Sequence, residues 1–522
     1  MSLDDSGARS TNPATTEGTT ASGQLLRRVV AGAAFMIAAR LVIRAMSMIS
    51  ILVFARLLVP EDFGLVAMAA AAIAFAEVMS VTNYAMVLVR QASVSRPLFD
   101  TAWTLNILRS ILLGGLIAGT ADWQAAFLGD PRIGPVLMVV ALGIVIDGFT
   151  SIGMARLHRD MHFNKLFRFE VDRKLVAFSV SLVLAILLQN YWCLVLGNLA
   201  AKLFGVPYSY WLAPHAPRLT LRHAGQLLRF SGWMLAINAL GTLDLHGSNL
   251  ILGRIAGLPA LGAFQVSYFL AAVPVHEVAV PVRQPIYAGY AQVQHDMALL
   301  RQHFLGGFGL LLAIMVPLSV GLALVAPEAA RIALGPGWEH AVPLIALCAL
   351  YSLVECLAAF TTNVFFVLDR LRPYVRTLAV LVAIRMPLVL AGVMLWGAVG
   401  MTAVMLATAL LNLVLWHWQV SRFLGHGARA LAGEAWRSIA AACAMAGVVL
   451  ALRSVLPPGP TGLGLALLKL ALLAAAGAFT HVATQALLWH AAGRPAGPER
   501  RAFSIAGGFV QALRARMRVP SA

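Results

Sequence analysis

The 522-residue chain is 60% hydrophobic and 12% charged, about half the charged content usual for a soluble protein, with a formal net charge of +17. Such a composition excludes an ordinary soluble enzyme. Apolar runs of helical length without strict alternation exclude an outer-membrane barrel as well.

Residues 1–23 ("MSLDDSGARSTNPATTEGTTASG") are small, polar and aperiodic, and predict a disordered tail. The apolar run after it is too long for a signal-peptide core and ends in an acidic turn, so no cleavable signal is expected. Fourteen apolar segments follow, at about 31–55, 64–89, 101–120, 134–155, 175–189, 191–212, 230–253, 263–286, 303–326, 341–367, 376–395, 397–420, 436–456 and 463–489. Only "QNYW" separates the fifth from the sixth. All four cysteines, Cys193, Cys348, Cys356 and Cys443, fall inside these segments and read as small hydrophobes.

Between the segments, Lys and Arg collect in alternate connections. With the N-terminus inside, twenty-seven lie on the inner side, while the outer side holds only Arg56, Arg132, Arg254, Arg331 and Arg453. The positive-inside rule then places both termini in the cytoplasm. Because the positive charge is spread over eight membrane-side stretches, it implies anionic lipid headgroups as partners and no nucleic acid.

Two short stretches echo later ones. "ARLLVPEDFG" (55–64) matches "GRIAGLPALG" (253–262), pairing Arg56 with Arg254 and Gly64 with Gly262 at an offset of 198. "FLGDPRIGPVL" (127–137) matches "ALGPGWEHAVPL" (333–344) at an offset near 206. All four are outer connections. They predict two six-helix halves related by an axis along the membrane normal, plus two added helices. The expected division is a tail (1–28), a first lobe (29–212), a linker (213–229), a second lobe (230–420), helices thirteen and fourteen (421–490) and a basic tail (491–522). The first echo also explains its own acids: Pro60, Glu61 and Asp62 suit the first turn of a helix, so no catalytic role is needed.

The stretch "ARLLVPEDFGLVAMAAAAIAFAEVMSVTNYAMVLVRQ" resembles the opening helical hairpin of the Wzx-type polysaccharide-export flippases, in the multidrug/oligosaccharidyl-lipid/polysaccharide (MATE-like) superfamily. "LILGRIAGLPALGAFQVSYFL", "PIYAGYAQVQHDMALL", "APEAARIALGPGWEHAVPLIALCAL" and "FFVLDRLRP" extend the likeness over most of residues 30–420. It is nearest to the lipopolysaccharide and exopolysaccharide exporters of the colanic-acid type. The resemblance implies an all-α polytopic fold, with two lobes giving alternating access to a central cavity. It further implies an undecaprenyl-pyrophosphate-linked oligosaccharide as cargo and the bacterial inner membrane as location. A polysaccharide polymerase and chain-length machinery are possible partners. The family supplies no catalytic signature, so site residues must be argued physically.

Seven cations fall inside the segments: Arg40, Arg44, Arg109, Lys202, Arg283, Arg385 and Lys469. The acids there are Glu77, Asp147, Asp244, Glu277 and Glu355. Each costs roughly 2.5–3.5 kcal/mol at mid-bilayer and should face protein or water. Arg40 and Arg44 share one helix face, where two guanidinium forks suit a diphosphate; an ion pair with Asp244 or Glu77 is the competing reading. Arg283, Arg385 and Lys202 are further candidate cavity cations, Arg283 and Arg385 lying beside prolines. The five acids are candidates for ion coupling or for counter-charge, and for Glu77 and Glu277 counter-charge is favoured.

No phosphate-binding loop, H-E-x-x-H motif or nucleophile elbow occurs, so no enzyme, cofactor or metal is expected. His158 and His162 have metal-ligand spacing but read as one face of a solvated helix. A membrane glycosyltransferase or polymerase would need a larger outer loop than the longest here, of about fifteen residues. A small-molecule antiporter of the same superfamily stays open; its cavity should favour acids.

Overall fold

In a bilayer only helices and closed barrels satisfy their own backbone, and the described residues are helical with no strand among them. The computed structural model describes residues 42–78, 96–160, 162–227, 232–279, 286, 289–290, 292–335, 337–456 and 462–493. Arg40, Arg283, the N-terminal tail and most of 491–522 lie outside them.

The long helices are α1 (42–57), α2 (Pro60–Val78), α3 (Arg96–Gly119), α4 (Ile133–Gly148), α5 (Phe163–Leu188) and α6 (Trp192–Leu212). Then come α7, in which Gly232–Thr242 continues through a π-turn Leu243–Gly247 into Ser248–Ala256, and α8, Leu258–Pro274 with a second π-turn Val275–Ala279. They are followed by α9 (Met297–Leu324), α10 (Val342–Val367), α11 and α12 (371–395 and 398–424, parted by non-helical Trp396 and Gly397), α13 (Ala428–Val455) and α14 (Leu463–Ala491). A helix occupies each expected segment as far as it is described. Six of the described helices are long and apolar enough to cross a membrane: α3, α9, α10, the joined α11–α12, α13 and α14. The protein is a helical, polytopic membrane protein.

The helix ends have local causes. Gln189 takes a left-handed conformation (φ 48°) and stops α5, so the four-residue "QNYW" turn is enough. Asp296 caps α9 by accepting from the N–H groups of Ala298 and Leu299 at 2.9 and 3.0 Å. At the start of α2, Asp62 accepts from the N–H of Val59 at 3.2 Å and from that of Tyr191 at 2.9 Å. Glu61 pairs with Arg132 at 2.5 Å. The acids of "PEDFG" therefore cap a helix and tie down the neighbouring connections, as the turn reading requires. Arg132 also donates to Asp130, at 2.7 Å, and holds that carboxyl below the usual carboxylate range.

The two echoes meet each other in space. Gly64 of α2 faces the carbonyl of Leu258, where a β-carbon would lie 1.9 Å from the oxygen. Reciprocally, Gly262 of α8 faces the carbonyl of Pro60, at 1.7 Å. Pro60 and Leu258 are themselves 198 apart. The second echo behaves alike: Arg56 packs on Gly335 and donates to the carbonyl of Ile332 at 2.7 Å, while Arg254 packs on Gly129. Gly129 and Gly335 follow eight-residue helices (Ala121–Leu128 and Ala326–Ala333) and have φ of 85° and 90°. The echoed stretches thus clasp reciprocally at one end of the molecule, around a core that joins Leu65, Met68 and Ile133 to Leu252, Leu261 and Val389.

A second core, around Phe304, Phe308, Phe360 and Phe365, draws on the helices after residue 230, with Ala442 of α13 among them. α13 and α14 pack against each other and against α9 and the short helix Ala326–Ala333. There Glu328, buried, receives Lys469 at 3.2 Å and Arg453 at 3.6 Å. Cys193, Cys348 and Cys356 are buried and Cys443 is exposed; each is a free thiol.

Candidate functional site

Further along the helices from this clasp, α2, α7, α8, α10, α11 and α12 enclose a cavity of about 810 Å³. Each side chain on its wall follows from helix geometry. Tyr351 and Glu355 are four apart on α10, as are Asn412 and Trp416 on α12, so each pair shares a face. Glu77 stands on α2, fifteen residues and about 22 Å along the helix from Asp62. Asn238 and Asp244 project from α7, Tyr268 from α8 and Tyr374 from α11. Asp244 belongs to the π-turn, where one extra residue rotates the side chains that follow relative to a regular helix.

The wall is aromatic, amide-bearing and acidic. Tyr268 and Tyr351 lie with ring centroids 6.2 Å apart. Glu77, Asp244 and Glu355 are its carboxylates, and no lysine or arginine lines it among the described residues. Tyrosine and tryptophan offer apolar ring faces with polar edges, while amides and carboxylates accept hydrogen bonds from hydroxyl groups. Such a wall is chemically suited to a polyhydroxylated ligand.

Arg385 is not on this surface. It is 1% exposed and sits behind the wall. Its Nη1 meets Asp244 at 2.6 Å, its Nε donates to Thr408 at 2.7 Å, and its Nη2 lies 3.9 Å from Glu355. One guanidinium thereby joins α7, α10, α11 and α12. The expectation of Arg385 as a cavity cation is corrected: two neighbouring carboxylates draw it inward, and charge neutralisation outweighs exposure. Asp244 and Glu355 act as its counter-charges while keeping an edge toward the cavity.

Arg44 is also drawn to an acid. Its Nε lies 3.0 Å from Glu277, in the π-turn of α8, and its guanidinium stacks 4.7 Å from the Phe269 ring centre. The partner is neither Asp244 nor Glu77, and Arg44 does not line the 810 Å³ cavity. For Glu277 the counter-charge reading fits the geometry. Arg44→Ala is expected to lower the melting temperature of the detergent-purified protein by leaving Glu277 half-buried and unpaired, with Glu277→Gln restoring most of the loss. If the second change restored nothing, the pairing would not be what fixes Arg44.

The remaining candidates lie elsewhere. Lys202 packs along Gly143, between α6 and α4. Asp147 faces Arg173 at 3.6 Å, a partly exposed pair. Arg40 and Arg283 are outside the described residues. His162 precedes α5, and no cluster of three or more His, Cys, Asp or Glu able to hold a metal occurs among the described residues. Sequence reasoning missed Tyr268, Tyr351, Tyr374, Asn238, Asn412 and Trp416. The available signal was polar or amphipathic residues spaced four apart, Tyr351 with Glu355 and Asn412 with Trp416.

Comparison with known proteins places this geometry. Residues 53–343 match the family model described as "Polysaccharide biosynthesis protein". Among curated proteins, the chain is 22% identical over 408 residues to the lipopolysaccharide biosynthesis protein WzxC of Escherichia coli (strain K12), covering 75% of this chain and 80% of that protein. It is 23% identical over 304 residues to the succinoglycan biosynthesis transport protein ExoT of Rhizobium meliloti (strain 1021), covering 58% and 62%. Among solved structures, lipid II flippase MurJ in an inward closed conformation superposes with a TM-score of 0.68 at 12% identity, covering 88% of this chain and 99% of that one. An inward-facing multidrug resistance MATE family transporter gives 0.57 at 14% identity, covering 75% and 100%. Those two likenesses concern the fold.

Proposed function

The chain belongs to the polysaccharide biosynthesis protein family, and from that premise we propose that it moves lipid-linked oligosaccharide repeat units across the bacterial inner membrane. The cargo is an oligosaccharide on undecaprenyl pyrophosphate, passed from the cytoplasmic to the periplasmic leaflet for a surface or extracellular polysaccharide. Fourteen spans form two six-helix lobes, 29–212 and 230–420, joined by the linker 213–229. The added pair of helices lies within 421–490, and both termini are cytoplasmic. The lobes, related by an axis along the membrane normal, rock against each other and open the central cavity to one side at a time. The reciprocal contacts of Gly64 with Leu258 and of Gly262 with Pro60 support that axis, since a twofold relation makes equivalent residues contact in both directions. The protein is a transporter without catalytic residues, and a polymerase takes up what it delivers.

The observation that carries this reading is the tyrosine, tryptophan, asparagine and carboxylate wall of the cavity, in a chain of this family. It assigns the cavity to the sugar part of the cargo. Glu77, Asp244 and Glu355 accept from hydroxyl groups while the aromatic faces stack on the rings. The anionic diphosphate is then held away from this acidic wall.

The same acidity is what an exporter of cationic small molecules would carry, so a superfamily antiporter is the second reading. Deleting the gene from its host separates the two. Loss of one surface or exported polysaccharide, with its lipid-linked repeat accumulating on the cytoplasmic side, is the expected result. Sensitivity to cationic dyes with every polysaccharide intact would give the antiporter the place.

A further inference from the structure

A second cavity, of about 1080 Å³, opens at the same end of the molecule as the clasp. Arg56 from the end of α1, Arg331 and Trp338 from the connection before α10, and the first turn of α14 at Gly462 and Ala466 line it. α1, α10 and α14 all end or begin there. The cavity therefore lies at the depth where apolar helices give way to water, the level of lipid headgroups.

Its charge is unusual for that end of the molecule. Of the five outer arginines, Arg132 is matched by Glu61 and Asp130, and Arg453 by Glu328. Among the described residues no acid lies within 4.0 Å of Arg56 or Arg331, and both line this one cavity. The bond from Arg56 to the Ile332 carbonyl, 2.7 Å long, aims its guanidinium without cancelling its charge. Trp338 is buried, its indole N–H held by the Ala55 carbonyl at 3.1 Å and its ring stacked on His340 at 5.9 Å. That makes a fixed aromatic floor. Glu339, the one acid on the wall among the described residues, turns its Oε1 toward the N–H of Gly337 at 3.4 Å.

Arg56 has a counterpart in Arg254 at the offset of 198, but the other two groups lie outside the repeated pattern. At the offset of 206, Arg331 corresponds to Ala125 and Trp338 to Arg132. Arg331 and the indole are therefore particular to the second half, and the cavity joins them to Arg56 of the first.

We propose that this cavity binds the phosphate of a lipid headgroup, gripped between Arg56 and Arg331 above Trp338. Two guanidinium forks match the several oxygens of a phosphate, and the site's depth selects one carried on an apolar tail. The phosphate can come from an ordinary anionic phospholipid or from a polyprenyl diphosphate. The assignment goes beyond the transport reading and is tested by binding alone.

The test is native mass spectrometry of the purified full-length chain titrated with phosphatidylglycerol, farnesyl diphosphate and uncharged diacylglycerol. For Arg56→Gln/Arg331→Gln, affinity for at least one phosphate ligand is expected to fall about tenfold or more, with diacylglycerol unaffected. Glu339→Gln is expected to act in the opposite direction, because it removes that acid from the wall. Loss confined to phosphatidylglycerol identifies an ordinary lipid as occupant, and loss confined to farnesyl diphosphate identifies a carrier-type ligand. Equal affinities in wild type and both variants would overturn the proposal. Should the double variant not elute as a folded protein, Arg331→Gln alone serves the same comparison, since Arg331 has no acid partner to lose.

Discussion

Arg385→Met is expected to destabilise the protein by about 3 kcal/mol, the low end of the cost of breaking a buried ion pair. Asp244 and Glu355 lose their cation but keep an edge toward the cavity. The side chain is 1% exposed and joins four helices through Asp244, Glu355 and Thr408. The variant should therefore melt several degrees lower in detergent and accumulate poorly in the membrane. Adding Asp244→Asn removes the nearer stranded charge and should recover much of the loss. Methionine keeps the length and apolar stem of arginine, so the test isolates charge from packing. An unchanged melting temperature in the single variant would show that the Arg385 cluster does not hold α7, α10, α11 and α12 together.

The second large effect is expected at the clasp between α2 and α8. In Gly262→Val the new β-carbon would fall 1.7 Å from the Pro60 carbonyl oxygen, whereas ordinary contact needs 3.4–4 Å. The opposed atom is backbone, so no side-chain rotation relieves the overlap, and α2 and α8 must part. Transport should be abolished in a chain that still inserts. A cysteine placed at Val59, which is exposed, should react with a membrane-impermeant maleimide faster than in the parent. Gly447→Ala, with nothing within 4 Å of its β-carbon, is the silent control. Normal transport and unchanged labelling in Gly262→Val would remove this contact from the transport cycle.

How much of this was legible beforehand depended on which physical constraint wrote it. A bilayer demands about twenty apolar residues per crossing, so helix positions could be read from hydropathy. α5 is the exception, starting at Phe163 and not near 175. Its first turns, "FNKLFRFEVDRK", are charged, and hydropathy registers only the oily part of a helix that continues into water. There Arg168 lies 3.5 Å from Asp172, one turn on, and Asp172 accepts a hydrogen bond from Tyr208 of α6. The echoes were legible for a different reason. Close backbone approach needs glycine and the turns after the two eight-residue helices need positive φ, so Gly64, Gly262, Gly129 and Gly335 are visible as residues.

The direction each charge faces was not legible. A helix period of 3.6 places residues on faces only while the helix stays regular, and both α7 and α8 contain a π-turn where an acid sits. That shift made Glu277 the partner of Arg44 and aimed Asp244 at Arg385. The expected cationic vestibule followed from counting arginines in the helices. Composition cannot tell a cation on a cavity wall from one buried behind it, and in this cavity the carboxylates hold the wall.

The most direct measurement uses purified protein in liposomes with labelled undecaprenyl-pyrophosphate-linked oligosaccharide in one leaflet, scored by a glycan-modifying enzyme confined to the other side. The wild-type chain is expected to deliver substrate well above protein-free vesicles. Removal of two wall contacts in Asn412→Ala/Trp416→Ala should slow delivery about tenfold or more, at roughly 1.4 kcal/mol per factor of ten. Delivery by the wild-type chain no faster than in protein-free vesicles, or wild-type speed in the wall variant, would contradict a glycan passing through this cavity.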